Sequence, residues 1–191
     1  MKKVFIISAY PNHEGFGAHL ADSYLEESLK AGHEATLLDL SKISFDPILH
    51  HGYKNKQKLE DDLLLAQKNI SWADHLVFFF PIWWGGAPAI LKGFFDRVFL
   101  PGFAFSYEHG YLPKQLLKNK SARIIVTMDA PALYDSLFLG SAGITLVKKS
   151  ILQFCGINPV KVTKISRLRY LNDKQRNKVV TKIRQIAKIA D

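Results

Sequence analysis

Three short segments hold the residues best able to do chemistry. Pro81-Ile82-Trp83-Trp84-Gly85-Gly86-Ala87-Pro88 sets two indoles beside two glycines, directly after the most apolar run of the chain, His75–Phe80. Large aromatics exposed at a strand end are unfavourable unless they cover something flat and apolar, and glycines let main-chain groups reach the edge of a ring. The indoles therefore suit a planar heterocycle; they equally suit side chains packed under neighbouring loops, and the residues alone leave both readings open. Ala9-Tyr10-Pro11-Asn12-His13-Glu14-Gly15-Phe16-Gly17 places two glycines where a helix is about to start, and the free N–H groups of a helix start attract an anion such as phosphate. It matches neither GxGxxG nor GxxxxGK[ST], so neither a dinucleotide fingerprint nor a P-loop is supported. The third segment, Met128–Tyr134, carries Asp129 and Tyr134.

Other reactive residue types read as structural. Cys155 follows an apolar helix with no histidine near it in sequence, which describes a buried thiol rather than a nucleophile. His50-His51 is an adjacent pair that cannot share one face, and the other five histidines are scattered, so no metal site is expected. Lys92, Asp96 and Arg97 stand at spacings that permit local pairing on one helix or contact with a second subunit. The stretch Gly102–Tyr111 is aromatic enough for a lid, though surface packing would give the same composition.

The elements that must position these segments follow from periodicity. Strands are expected at Lys3–Ala9, Ala35–Leu40, His75–Phe80 (halted by Pro81), Ala122–Thr127 and Val160–Ile165. Helices are expected from Phe16 to a stop at Gly32, over Leu59–Ile70, from Pro88 to near Phe99, over Ile144–Phe154, and from a cap at Asp173 through Val179, Val180, Ile183, Ile186, Ala187 and Ala190. Five strands alternating with five helices describe a parallel, doubly wound sheet, which binds ligands beyond the carboxyl ends of its strands near a switch in strand order. Those ends are the three segments above.

At 191 residues, with 48% hydrophobic and 23% charged residues, the chain reads as a single globular domain over 1–191 and not as a disordered or repeat protein. No apolar run is long enough for membrane insertion. MKKVFIISAYP has an apolar stretch of only Val4–Ala9 and no small-residue cleavage site, so it reads as a first strand rather than a leader. One cysteine excludes a disulfide framework and fits the reducing cytoplasm. The net charge of +9 raises nucleic acid as a partner. The basic residues nevertheless fall in short groups over several elements, without a nucleic-acid motif. Solvated faces and a field that attracts a phosphate-bearing cofactor account for them. A nucleic-acid-binding module would be colourless and salt-sensitive, and the tryptophan–glycine loop argues against it.

Phe78–Tyr107, FFFPIWWGGAPAILKGFFDRVFLPGFAFSY, closely resembles the signature of the NAD(P)H:quinone oxidoreductases. Tyr10-Pro11, Phe45-Asp46-Pro47 and Phe154-Cys155-Gly156 extend the likeness over nearly the whole chain. The resemblance implies a flavodoxin-like α/β three-layer sandwich with a five-stranded parallel sheet. It implies FMN, or alternatively FAD, held at the three loops, with NAD(P)H as donor and a small quinone-like acceptor. NAD(P)H would stack on the ring and deliver hydride to flavin N5, and the acceptor would then take the same place in a ping-pong cycle. Family members are typically homodimers with the site at the interface. The short chain favours FMN, and the basic surface mildly favours NADPH.

Carried over residue by residue, the resemblance assigns Pro81, Ile82, Trp83, Trp84 and Gly85 to the ring and Phe16 to the phosphate segment. Tyr10, Gly15, Gly17, Thr127, Met128 and Asp129 complete the cofactor-binding set. Tyr134 and Tyr107 are the catalytic candidates, and Trp84, Phe105, Tyr107 and Tyr134 would wall the substrate pocket. The departures are also specific. Gly15 and Gly17 stand where Ser and Asn are usual, removing two side-chain donors. Val126-Thr127-Met128-Asp129-Ala130-Pro131 replaces Thr-Thr-Gly-Gly, bringing a carboxylate that disfavours an anionic reduced ring, and Gly140 stands where some members have a proton-relaying histidine. The alternative within the same fold is a flavin-containing ancillary regulator of a potassium-efflux transporter.

Overall fold

The computed structural model of the chain describes residues 1–107 and 113–190. In chain order the strands are β1 (Lys3–Ser8), β2 (Glu34–Asp39), β3 (His75–Pro81), the two-residue β4 (Phe105–Ser106) and β5 (Lys114–Gln115), β6 (Ser121–Thr127) and β7 (Val160–Ile165). The helices are α1 (Phe16–Lys30), α2 (Asp61–Trp72), α3 (Ala89–Val98), α4 (Ala132–Leu137), α5 (Ala142–Thr145) and α6 (Asp173–Ile189). Five strands form one sheet in the order β2-β1-β3-β6-β7, and every neighbouring pair is parallel. β4 and β5 pair antiparallel outside it.

The apolar runs explain the layering. β3 is buried along its whole length and β1 along all but its first residue, as strands covered on both faces must be. Val4, Ile6, Val77 and Phe79 face Leu20, Ala21 and Tyr24 of α1 and Ile183 and Ala187 of α6. Phe5, Ile7, Phe78 and Phe80 face α2, α3 and the helical turns after α5. From β1 the chain crosses to β2 on one side and then returns to β3 on the other. The switch in strand order therefore lies between the carboxyl ends of β1 and β3, where such folds open a crevice.

Gly32 ends α1 with φ +81, as its spacing predicts. Several element ends shift by one or two residues from the sequence reading, and three differences are physical. β3 runs through Pro81, which costs the ladder little at its last position. α6 is capped by Asn172 and not Asp173: the Gln175 amide donates to Asn172 Oδ1 at 3.0 Å, and the Asn172 amide donates to Gln175 Oε1 at 2.9 Å. The helix expected over Ile144–Phe154 begins earlier, as α5, and continues as a π-helix over Leu146–Gln153, while α4 is a further short helix that the periodicity does not predict. Gly140 and Ser141, both at positive φ, separate α4 from α5. The buried residues of the π-helix, Val147 and Leu152, are five apart, the spacing its i→i+5 hydrogen bonds span.

Candidate active site

The loops after β1, β3 and β6 meet at the switch in strand order. In the first, the Tyr10 ring turns inward, and its hydroxyl donates to Thr127 Oγ1 at 3.0 Å beneath the end of β3. Burial pushes the Tyr10 hydroxyl well above its ordinary value, and the Thr127 bond only partly opposes this. A side chain at Gly17 would place Cβ 2.2 Å from the Tyr10 ring, so the ring occupies the space of the missing one. Tyr10 is thus a floor residue under the loop rather than a surface contact. α1 starts at Gly15 without a side-chain cap, leaving its first N–H groups to main-chain or ligand partners. Beside them the Arg176 guanidinium lies 5.0 Å from the Phe16 ring centroid.

The second loop is a tight hairpin. The Trp83 amide donates to the Gly86 carbonyl at 2.9 Å, and the Gly86 amide donates back at 2.8 Å. Trp84 and Gly85 form the tip with φ +51 and +73, both positive as in a type I′ turn. An indole residue rarely adopts this conformation, and Trp84 is fully exposed while Trp83 is half-exposed. Neither indole is packed under neighbouring loops. The hairpin is seated by Gly143 of α5, whose amide donates to the Gly85 carbonyl at 2.8 Å. Tyr10, Pro11, Trp83, Pro88 and the Leu40–Ile43 turn enclose a recess of about 390 Å³.

In the third loop two assigned residues are committed to the protein. The Ile82 amide takes the Thr127 carbonyl, the Met128 amide donates to Ile165, and the Met128 carbonyl accepts from Leu168. Thr127 and Met128 are buried, whereas Asp129 and Ala130 are the more outward part of this loop. The Asp129 carboxylate is paired with Arg169, at 3.1 Å to the guanidinium and 3.0 Å to the amide. Both side chains of this ion pair are exposed at the surface. Tyr134 is half-exposed and stacks on Phe138, ring centroids 5.1 Å apart.

Phe105 and Tyr107 are not brought to this crevice within the chain. They line a separate recess of about 320 Å³ with Tyr53, Phe154 and Leu146. Phe105 is mostly covered, with Phe154 and Tyr107 rings at 5.2 and 5.7 Å, whereas Tyr107 is exposed. Of the Gly102–Tyr111 stretch, residues 108–111 lie outside the described residues. Cys155 backs the recess, and burial pushes its thiol up to about 12. It should stay protonated at pH 8, so a disulfide reagent should label the native protein at least about tenfold more slowly than the urea-unfolded chain. Equal rates would mean that the thiol is accessible. His50 sits 2.6 Å from Asp46, whose carboxyl is held below its usual range by the Ile48 amide and by His50.

A family model described as flavodoxin-like fold matches residues 2–189. An uncharacterized NAD(P)H oxidoreductase of Haemophilus influenzae is 30% identical over 180 residues, covering 92% of this chain and 89% of that protein. The chain belongs to the NAD(P)H:quinone oxidoreductase family. NAD(P)H dehydrogenase (quinone) 1 of Cavia porcellus is 29% identical over 82% of the chain, which spans only 65% of that enzyme's length. The crystal structure of Smu.1420 from Streptococcus mutans is 34% identical with a TM-score of 0.81, covering 97% of this chain and 98% of that one.

Four residues that the sequence does not mark as site residues contribute to this arrangement: Gly143, Lys164, Arg169 and Arg176. Lys164 Nζ donates to Asp135 at 2.8 Å, to Ser136 at 2.8 Å and to Ser141 at 2.6 Å, tying the segment that bears Tyr134 to β7. Asp135 is buried, so this ion pair is shielded from water. All four residues act through contacts far apart in sequence, which periodicity does not reveal. A basic residue just beyond the last strand was the only available signal for Arg169.

Proposed function

We propose that this family member is a flavin-dependent NAD(P)H oxidoreductase that passes two electrons to quinone-like acceptors. The observation that carries this reading is the strained, fully exposed Trp84 at the tip of a hairpin beside the switch crevice. The residues present fit a flavin. The uncapped start of α1 offers main-chain N–H groups to a phosphate, which compensates for the donors absent at Gly15 and Gly17. Pro81, Ile82, Trp83, Trp84 and Gly85 offer the ring a flat apolar wall with main-chain groups at its edge. A bound flavin would take hydride from NAD(P)H and reduce the acceptor, the two substrates using one pocket in turn. The relatives named for NAD(P)H and quinone chemistry favour catalysis over an ancillary regulator of transport.

Trp84 and Tyr134 then exclude water from one side of the pocket, and Tyr134 donates a hydrogen bond to the acceptor oxygen. Phe105 and Tyr107, apart from them in one chain, would complete the wall from a second copy, so we place the site in a homodimer. We propose FMN rather than FAD as the flavin, and NADPH as the donor in view of the basic surface. No described helix is long and apolar enough to cross a membrane.

The test is a visible spectrum after incubation with FMN or FAD and desalting, recorded before and after anaerobic NADPH. A retained band that bleaches is expected; no retained flavin would overturn the reading. Tyr134→Phe should leave flavin retention unchanged and slow acceptor reduction about tenfold, the worth of one hydrogen bond of roughly 1.4 kcal/mol. Unchanged turnover would remove Tyr134 from the reaction.

A further inference from the structure

The charge of this chain is strongly asymmetric. Residues 160–191 hold ten lysines and arginines against two aspartates, so +8 of the net +9 sits in the last sixth of the sequence. Residues 1–159 are nearly neutral. Much of this charge lies on α6. Its apolar side is spent on the core through Ile183 and Ala187, while Lys174, Lys178 and Lys182 stand at i, i+4 and i+8 on the outward side, spanning about 12 Å. Asn177, Thr181 and Gln185 lie among them, and together these six line a shallow open groove. None of the three lysines has an ion-pair partner among the described residues, in contrast to Lys188, which reaches Glu27 at 3.4 Å.

The stripe does not end at the helix. At its amino-terminal end the turn over Leu168–Tyr170 adds Arg169 and an exposed Tyr170. Arg169 ties this turn to Asp129 in the loop that leads into α4, and Lys164 of β7 ties α4 itself to the same end of the sheet through Ser136; from α4 Leu133 and Leu137 project, each 69% exposed. Basic side chains in a row, a tyrosine, and then bare leucines are what an anionic bilayer surface accepts. The phosphates of its headgroups attract lysine and arginine over a Debye length, and the boundary below them takes tyrosine and leucine. A nucleic-acid backbone would satisfy the lysines but offers the two leucines no apolar partner.

We propose that the outward face of α6, continued through the β7–α6 turn to α4, docks this protein on membranes rich in anionic lipid. The docking is peripheral and needs neither flavin nor nicotinamide nucleotide, so it stands or falls separately from the redox reading. The experiment is co-sedimentation of the full chain with phosphatidylcholine vesicles and with mixed phosphatidylcholine–phosphatidylglycerol vesicles, at low and at physiological salt. Binding to the mixed vesicles alone, weakening with salt, is expected. The K174Q/K178Q/K182Q variant should keep its Tm, since all three side chains are exposed, and should lose roughly a hundredfold in partitioning at about fivefold per lysine. Leu137→Ser should abolish the fraction that survives high salt. No binding to mixed vesicles at low salt would overturn the proposal. So would binding that the triple variant leaves unchanged, or retention by a DNA duplex tighter than by the vesicles at equal salt.

Discussion

Replacing Arg97 with methionine should destabilise the fold by about 3 kcal/mol, the low end of what removing one member of a buried ion pair costs. Arg97 is only 1% exposed, and its guanidinium donates to the carbonyls of Asp46 and Lys58 as well as to Glu60, at 2.8 Å for the last two. Methionine fills the volume but leaves those acceptors and a half-buried carboxylate without their donor. The long β2–α2 connection, which Arg97 pins to α3, should loosen first. Glu60 adds a pH signature. Burial works against ionisation, but the Asp46 and Glu60 amides and Arg97 outweigh it and hold the carboxyl below its ordinary 4.5. A lowered value stabilises above the unfolded value, and that stabilisation is lost as pH falls through the folded one. The variant should therefore lose part of the wild type's acid sensitivity. Urea unfolding at neutral and mildly acid pH measures both effects, and a loss below about 1 kcal/mol would mean that Arg97 is dispensable.

Gly143→Val should be as damaging, but to the hairpin rather than the core. A Cβ at Gly143 would stand 2.5 Å from the Gly85 carbonyl oxygen and 2.7 Å from Gly86 Cα, both backbone atoms with no rotamer to yield. Accommodation requires the whole Trp83–Gly86 turn to move away from α5. A cost of about 1–3 kcal/mol in stability follows, together with at least a tenfold loss in flavin affinity because the indole tip is displaced. Gly86→Ala is the control: its nearest contact is the Trp83 carbonyl at an ordinary 3.7 Å, so it should bind flavin as the wild type does. Titration of flavin fluorescence against both variants decides the matter. Equal affinities would show that α5 does not set the position of the loop.

The contrast between Arg97 and Lys92 explains what was legible in the sequence. Lys92 and Asp96 are four apart and do pair on α3, at 2.7 Å, as local spacing predicts. Arg97 belongs to the same helix, yet its partner is 37 residues away, and nothing in the helix itself points to Glu60. The same division runs through the rest of the molecule. The central strands are legible as short continuous apolar runs, and the long helices α1, α2, α3 and α6 because their apolar residues repeat at 3.6. The short α4 and the break before α5 are not, because they rest on positive φ at Gly140 and Ser141, and the helix expected over Ile144–Phe154 gives no sign of its wider π-type hydrogen bonding. The Trp83-Trp84-Gly85-Gly86 loop declared itself through residue types that are expensive to expose. The inward turn of Tyr10, Thr127 and Met128 did not, because strand ends look alike whichever way their last side chains point.

The fit of the Tyr10 ring into the space over Gly17 also limits how this first loop can change. A larger residue at position 17 is tolerable only after the ring has gone, and loss of the ring opens a void until position 17 fills it. Each single step passes through a weaker protein, so the two positions are bound into one inherited unit. A scan that varies one position at a time will score both as intolerant. The workable combinations lie among the doubles, including any that bring back a side-chain donor to the start of α1.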